Sequence, residues 1–200
     1  MIRQTVIDAA MNRLMARFGK RLILQPPATM SDLAQLEERV GPLPRDLVIF
    51  LATCNGLKLK LSRRNAETNF CCTHTILQQL ETQRAAPPGL VPLRQNADGR
   101  WDWLVLEEGA LHGAVLRYET GTPGVELVAT SFGQYFDGWT KYLADWFTDK
   151  GAPRARRVPV FDQRVTARID KELRPLMRSS KVRSELREME LQIAGGADYD

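Results

Sequence analysis

Apolar residues recur every three or four positions in two neighbouring segments of the chain. In the first segment, Leu33, Leu36 and Val40 fall on one face of a helix. The second segment repeats this spacing in a longer apolar stripe, made of Leu47, Phe50, Leu51 and Cys54. The pattern predicts two short amphipathic helices, each with one face turned towards a core.

Polar and turn residues mark where these helices begin and end. Ser31 or Asp32 can accept hydrogen bonds from the free N–H groups of the first helical turn. Gly41 can adopt the left-handed conformation that ends a helix, and Pro44 suits the first turn of the next helix. The Asn-Gly pair at 55–56 favours a turn. We therefore expect a helix, a sharp corner, a second helix and a turn in this order.

Further along the chain, short apolar runs replace the helical spacing. Residues 57–61 alternate Leu with Lys, as a half-buried strand does. A short helix is expected at 75–83. Four more apolar runs are separated by turn residues and indicate strands: 90–93, 103–106, 114–118 and 125–130. Helices packed against one mainly antiparallel sheet give an α+β fold.

An aromatic stripe marks the last helix of this region. It consists of Tyr135, Phe136, Trp139, Tyr142, Leu143, Trp146 and Phe147. Such a stripe can form a groove for a partner, but burial against the sheet is the simpler explanation. We therefore expect this helix to be a core element.

Five short motifs, in order along the chain, resemble the entry motif of the SMI1/KNR4 family, the SUKH superfamily. They are Leu36-Glu37, Gly41, Leu43-Pro44, Phe50-Leu51 and Asn55-Gly56. Residues 128–132, with the aromatic helix that follows them, are similar to the closing strand and helix of that family. The resemblance spans residues 25–149 and implies a SUKH-like fold.

The chain then divides into three parts. Residues 1–24 are expected to form a helical leader that packs on the domain, residues 25–149 the SMI1/KNR4-like domain, and residues 150–200 a basic linker and helical tail. The tail carries two apolar sets, of which the first is Val165, Ile169, Leu173 and Leu176, and Pro175 should break or kink the tail between them. The second set, from Val182 to Ile193, is expected to lie on the domain or on a second copy of the chain.

The resemblance implies a non-enzymatic module that binds other proteins. Members of the family are known as bacterial immunity proteins that neutralise toxins, or as fungal regulators that act through protein contacts. An immunity protein would cover the active site of its toxin, with a few aromatic anchors and a charged rim. The expected partner of this chain is therefore a cognate toxin domain.

Partner-binding residues are expected near the strand at 103–106, on the sheet edge and its loops. They are Asp98, Arg100, Trp101, Asp102, Glu107 and Glu108. Burial alone explains poorly why Trp101 stands next to acidic groups. Alternation along a strand places Trp101 and Trp103 on one face and Asp102 on the other.

Charge is unevenly distributed. The chain has a formal net charge of +4, from 28 Lys and Arg against 24 Asp and Glu. Residues 150–200 hold 12 Lys and Arg and 8 Asp and Glu, which accounts for the whole excess. The alternative function is therefore a regulatory or scaffold protein whose tail binds nucleic acid or an acidic partner. Arg154, Arg156 and Arg157 would make such binding sensitive to salt.

Side chains that carry enzyme chemistry are few. Cys71, Cys72 and His74 cluster in the sequence, but a zinc site would need Cys54 or His112 to join them. A second hypothesis makes Cys72 a nucleophile with a histidine as its base. Adjacent cysteines near a strand end are more often small core residues. We therefore expect no catalytic residue, no metal and no cofactor.

The N-terminal sequence and the cysteines bear on where the protein resides. No apolar segment approaches the about 18 residues that span a membrane. Asp8, Asn12 and Arg13 interrupt the N-terminal apolar residues, unlike in a secretory signal. Three cysteines are an odd number, which argues against a disulfide framework. We expect a cytoplasmic protein without membrane association.

Overall fold

A computed structural model describes residues 5–61, 68–82, 89–96, 99–118 and 124–195. The helices in these ranges are α1 (Val6–Phe18), α2 (Met30–Val40), α3 (Arg45–Thr53), α4 (Thr73–Thr82), α5 (Phe132–Trp146), α6 (Gln163–Thr166), α7 (Leu173–Arg178) and α8 (Ser180–Gly195). The strands are β1 (Leu22–Leu24), β2 (Leu57–Leu59), β3 (Thr68–Phe70), β4 (Leu90–Gln95), β5 (Trp101–Val105), β6 (Val115–Tyr118) and β7 (Glu126–Ala129). The predicted α+β class and helical tail are confirmed.

The described strands form two antiparallel sheets. β1, β2 and β3 lie side by side in one sheet, and β4, β5, β6 and β7 follow chain order in the other. The sheets adjoin just after β3, where the backbone N–H of Cys71 donates to the carbonyl of Leu93 at 2.9 Å. The sheet is therefore antiparallel, as predicted, but it is divided in two.

The inner face of the four-stranded sheet shares one hydrophobic core with helices α1, α3 and α5. Aromatic rings fill this core: the centroids of Phe50 and Phe136 lie 5.0 Å apart, and those of Phe70 and Trp139 lie 4.9 Å apart. Tyr135, Phe136 and Trp139 are at most 1% exposed. These three residues of the aromatic stripe are thus core residues, as the simpler explanation predicted.

Helix α2 begins earlier than its predicted cap. Thr29 is the N-cap: its hydroxyl accepts from the N–H of Asp32 at 3.1 Å, and the Asp32 carboxylate accepts from the N–H of Thr29 at 2.8 Å. The expected cap at Ser31 or Asp32 is therefore wrong by two or three residues, because Asp32 is the return member of a capping box. Gly41 ends the helix with φ of +89°, as expected.

The tail packs on the outer face of the four-stranded sheet and forms a second core there. Its buried apolar residues are Leu173, Val182, Met189 and Ile193, and its sheet residues are Leu90, Trp103, Val105, Leu116, Tyr118 and Leu127. The stripe from Val182 to Ile193 therefore lies on the domain. Burying each such side chain contributes about 1.5–3 kcal/mol. The tail is an integral layer of the fold.

The helical structure of the tail is not interrupted at Pro175. This proline lies in the first turn of α7, where its missing N–H removes no helical hydrogen bond. The break occurs instead at Ser179, whose ψ of 128° is extended. The second apolar set therefore lies on its own helix, α8, whereas the first extends over α6, α7 and the turn between them.

Side chains from the tail also cover the edge of β7. The hydroxyl of Thr166 donates to the carbonyl of Val128, and the amide of Gln163 donates to the carbonyl of Leu127 at 2.9 Å. The buried carboxylate of Asp170 accepts from both the N–H and the hydroxyl of Thr130 at 2.7 Å. Backbone groups that an edge strand would leave open are satisfied here.

Candidate protein-binding surface

Asp102 is not a surface residue, which corrects one of the predicted contacts. Its side chain is 0% exposed and points into the inner core. Arg117 donates from Nε to Oδ1 at 2.6 Å and from Nη2 to Oδ2 at 3.1 Å, and Arg94 donates from Nη2 to Oδ2 at 3.0 Å. The Tyr135 hydroxyl donates to the same carboxylate. Asp102 therefore holds strands β4, β5 and β6 to helix α5.

Opposing effects set the pKa of Asp102. Burial raises the pKa, but the charges of Arg117 and Arg94 outweigh it and hold the pKa below its ordinary value. Burial raises the pKa of Tyr135, which stays protonated and can donate. Arg94 is also enclosed by four rings, with its guanidinium carbon 5.7–5.8 Å from each centroid: Phe70, Tyr135, Trp139 and Phe161. The cluster is a paired, buried ionic network with a structural role.

Trp101 and Arg100 lie at the start of β5 and are partly exposed. The rings of Trp101 and Trp103 share the outer face, with centroids 6.1 Å apart, so the predicted alternation is confirmed. Trp103 is fully buried beneath the tail. Asp98 lies outside the described residues.

Glu107 and Glu108 lie beyond the far end of β5 and are exposed. They line a groove of about 210 Å³ between the loop after β5 and helix α8. The other lining residues are Val105, Glu185, Glu188, Met189 and Gln192. We call this the acidic groove, since four of its seven lining residues are glutamates.

Glu185 fastens the two walls of the acidic groove to each other. Its carboxylate accepts from the backbone N–H groups of Ala110 at 2.8 Å and Leu111 at 3.0 Å. A Cβ at Gly109 would lie 2.9 Å from this carboxylate, so any larger residue at this position would require the Glu185 side chain to shift. Both oxygens of Glu185 have partners, and Glu107, Glu108 and Glu188 carry the charge that faces solvent.

The structure splits the predicted surface into two regions. Strand β5 runs from Trp101 to Val105, so Trp101 and Glu107 lie on the order of 20 Å apart at about 3.3 Å per residue. Glu185 and Glu188 join the second region, although no nearby sequence links them to Glu107. Their spacing of three residues, about one helical turn, indicates that they share one face of a helix. It does not identify the loop that this face contacts.

The basic residues of the linker are exposed, and one of them caps a helix. Arg154, Arg156 and Arg157 all face solvent. The Nε of Arg154 and the Nη2 of Arg17 both donate to the carbonyl of Phe147, at 3.1 and 3.2 Å. This carbonyl closes α5, where the helix dipole favours positive charge. Arg154 thus has a structural contact as well as its charge.

The cysteines and histidines do not converge on one site. Among the described residues, no group of three or more His, Cys, Asp or Glu side chains is placed to hold a metal ion. All three cysteines are free thiols. Burial raises the pKa values of Cys54 and Cys71 to about 12, which keeps both thiols protonated near neutral pH.

The sequence profile of the SMI1 / KNR4 family (SUKH-1) matches residues 27–138, which is more than half of the chain. This protein belongs to the SMI1/KNR4 family. The SMI1/KNR4 match begins before α2 and ends within α5, so it includes β2 to β7 but neither β1 nor the tail. The resemblance inferred from the sequence motifs is confirmed.

Among curated proteins, none matches this SMI1/KNR4 chain. No helix within the described ranges has both the length and the apolar composition needed to cross a membrane.

Proposed function

We propose that this protein is a non-enzymatic, cytoplasmic binding module that neutralises a cognate toxin by covering the toxin's active site. Membership of the SMI1/KNR4 family supports a module that acts through protein contacts. The acidic groove is the observation that carries the proposal further, because it offers a shaped and charged contact to one kind of partner.

The size and lining of the acidic groove suit a single cationic side chain. Its volume of about 210 Å³ lies below the roughly 300–1,000 Å³ of pockets that hold small molecules. Val105 and Met189 provide an apolar floor, with Glu107, Glu108 and Glu188 around it. A Lys or Arg side chain has an apolar stem and a charged head that match this arrangement.

A cationic anchor is consistent with neutralisation by occlusion. Toxins that cleave nucleic acids bind phosphates with Lys and Arg side chains, so their active sites are positively charged. An acidic surface accelerates encounter with such a site and disfavours acidic competitors. The bound protein then covers the active site without performing any chemistry.

Both ends of β5 can contribute to one interface. A standard interface covers about 800 Å² on each partner, which is roughly 30 Å across. Arg100, Trp101, Glu107 and Glu108 all border the outer face of the sheet and fall within this reach. We therefore retain these four residues as proposed contacts, with Trp101 as the aromatic anchor.

Co-expression with a toxin domain encoded beside its gene tests the proposal. Wild-type protein should restore growth and purify with the toxin as a stable complex. Glu107→Lys/Glu108→Lys should lose both effects, because it places two cations opposite the partner's cation. Glu38→Lys/Asp145→Lys makes the same charge change at two exposed carboxylates elsewhere and should behave as wild type.

Each outcome has a distinct meaning. Rescue by both charge-reversed variants would contradict the role of the acidic groove while preserving the immunity function. Absence of rescue and of a complex with wild-type protein would contradict the immunity function itself.

The second candidate function uses the linker. Arg154, Arg156 and Arg157 are exposed, and within the described part of the chain no carboxylate lies at ion-pair distance from them. They can contact phosphates of a nucleic acid or an acidic protein. Binding that falls steeply with added salt and disappears when all three are changed to Ala would support this function. Binding that is insensitive to salt would contradict it.

A further inference from the structure

β1 is an edge strand, and among the described residues no hydrogen bond is made to its outer side. Its partner on one side is β2, with Leu22 opposite Leu59 and Leu24 opposite Leu57. By contrast, side chains of the tail satisfy the edge of β7, and β3 meets β4 through Cys71. An uncovered edge offers backbone groups to another strand.

Register identifies which backbone groups of β1 are open. The N–H of Lys60 donates to the carbonyl of Arg21 at 3.1 Å, and the N–H of Gln25 donates to the carbonyl of Gly56 at 3.0 Å. Hydrogen-bonded pairs alternate along an antiparallel ladder, so the N–H and C=O groups of Leu22 and Leu24 point away from β2. These two residues present four open backbone groups.

The side chains at this edge are apolar and exposed. Ile23 is 43% exposed and Leu24 is 36% exposed. Short edge strands usually avoid unwanted pairing by carrying charge on the edge itself. Here the strand is short, but its own three side chains are all aliphatic. An added strand would bury Ile23 and Leu24 and pair the open backbone groups.

Positive charge is concentrated in the segments that form the apolar edge. Residues 19–28 and 57–61 carry Lys20, Arg21, Lys58 and Lys60 and contain no Asp or Glu. In the described residues, no carboxylate forms an ion pair with Lys20, Arg21 or Lys60. The exposed charge at this edge is therefore complementary to carboxylates.

We infer that β1 binds an extended protein segment in which acidic residues alternate with aliphatic ones, and that this segment extends the three-stranded sheet by one strand. Backbone pairing at Leu22 and Leu24 would provide the attachment, and alternating side chains would meet Ile23 and the surrounding cations. Two copies of the chain are a poorer fit, because their cations would come within about one Debye length of each other. A nucleic acid is also a poorer fit, since its phosphates gain nothing from exposed Ile23 and Leu24.

A capped heptapeptide in which Glu alternates with Val and Ile is the probe. Binding to the full-length protein is followed by NMR titration and by amide hydrogen exchange. We expect exchange at Leu22 and Leu24 to slow at least about tenfold when the peptide is bound. The same peptide with Lys in place of Glu should produce no protection.

Two variants and a control separate strand addition from general charge attraction. Lys20→Glu/Lys60→Glu should weaken peptide binding at least about tenfold, while Arg183→Glu/Arg187→Glu, which makes the same charge change on exposed positions of α8, should leave it unchanged. Leu24→Pro removes an outward N–H that β2 does not use, and should abolish protection at Leu22.

Three results would overturn the inference. One is peptide binding without protection at Leu22 and Leu24, and another is equal binding by Leu24→Pro or by the Lys peptide. The third is protection that appears without peptide and rises with protein concentration, which would identify a second copy as the occupant. None of these results depends on the acidic groove, so the test is independent of the proposed immunity function.

Discussion

Asp102 and Arg117 form a two-bond ion pair in the middle of the inner core, with Nε–Oδ1 and Nη2–Oδ2 distances of 2.6 and 3.1 Å. Both side chains are at most 1% exposed. Arg94 completes the network from β4. Replacing one member leaves the others charged in a place that water does not reach.

Asp102→Asn should therefore lower the free energy of unfolding by about 3–5 kcal/mol. The amide keeps the size of the side chain, so the loss reports the removed charge. The measurement is urea unfolding of the wild-type protein and the variant. Glu38→Gln, which neutralises an exposed carboxylate on α2, is the control and should change stability by less than about 0.5 kcal/mol. A similar small loss for Asp102→Asn would show that the network is not needed for stability.

The ion pair between Asp102 and Arg117 should also make the stability of the protein depend on pH. The pKa of Asp102 in the folded protein lies below its unfolded value of about 3.9. The ionised side chain therefore contributes fully to the free energy of unfolding above about pH 5. The contribution disappears as the pH falls through the lower folded-state pKa. Wild-type protein should therefore lose stability more steeply than Asp102→Asn as the pH falls below about 4.

Other carboxylates do not obscure this difference. Hydrogen bonds from Thr5 and Thr29 also lower the pKa values of Asp8 and Asp32, but both groups are present in the two proteins. Parallel acid-unfolding curves for wild type and variant would contradict a lowered pKa at Asp102.

Removing the tail should expose the outer face of the four-stranded sheet. A chain that ends at Asp149 lacks every tail residue that covers Trp103, Leu116 and Tyr118. We expect this truncation to bind a hydrophobic dye and to aggregate at concentrations where the full chain is monodisperse. Dye fluorescence and light scattering check this prediction.

A truncation after Gly195 is the matched control, because it keeps α8 complete. It should behave as the full chain does. A monodisperse truncation at Asp149 with a sharp unfolding transition would show that the sheet is stable without its outer layer.

Glu185 should contribute more to stability than Glu188, although they are one turn apart on α8. Glu185→Ala leaves the N–H groups of Ala110 and Leu111 without acceptors, which should cost about 1–3 kcal/mol. Glu188→Ala removes an exposed carboxylate and should cost less than about 0.5 kcal/mol. Urea midpoints measure both, and equal losses would contradict an anchoring role for Glu185.

Thiol labelling should distinguish the cysteines. Cys54 and Cys71, with pKa values of about 12, have almost no thiolate at pH 8 and should label slowly in the folded protein. All three cysteines should label rapidly in urea. Any fast thiol in the folded state should disappear in Cys72→Ser, and fast labelling that persists there would show that Cys54 or Cys71 is accessible and ionised.

Helical periodicity and turn residues were enough to predict much of the fold. The stripe of Leu33, Leu36 and Val40 and the aromatic stripe of α5 are long enough to show a period, and both elements are present. β1 and β3 have three residues each, which is too short for alternation to stand out. Their pairing with β2 is a long-range contact that local sequence does not contain.

The candidate site was harder to predict, for a reason visible in β5. Alternation correctly placed Trp101 and Trp103 opposite Asp102, but it does not indicate which face meets solvent. In this sheet both faces are covered, one by α5 and the other by the tail. Asp102 was therefore assigned to the surface when it is a core residue. The exposure of Glu107 and Glu108 was predictable, because a loop next to Gly109 is normally exposed.

The tail layer has a consequence for biosynthesis. Domains generally fold from their N-terminal side as the chain is made, at about 5–20 residues per second. Trp103, Tyr118 and the edge of β7 are synthesised well before residues 163–193, which cover them. During this interval the nascent sheet displays an aromatic face and an open edge, so we expect newly made chains to bind chaperones until α8 has been synthesised.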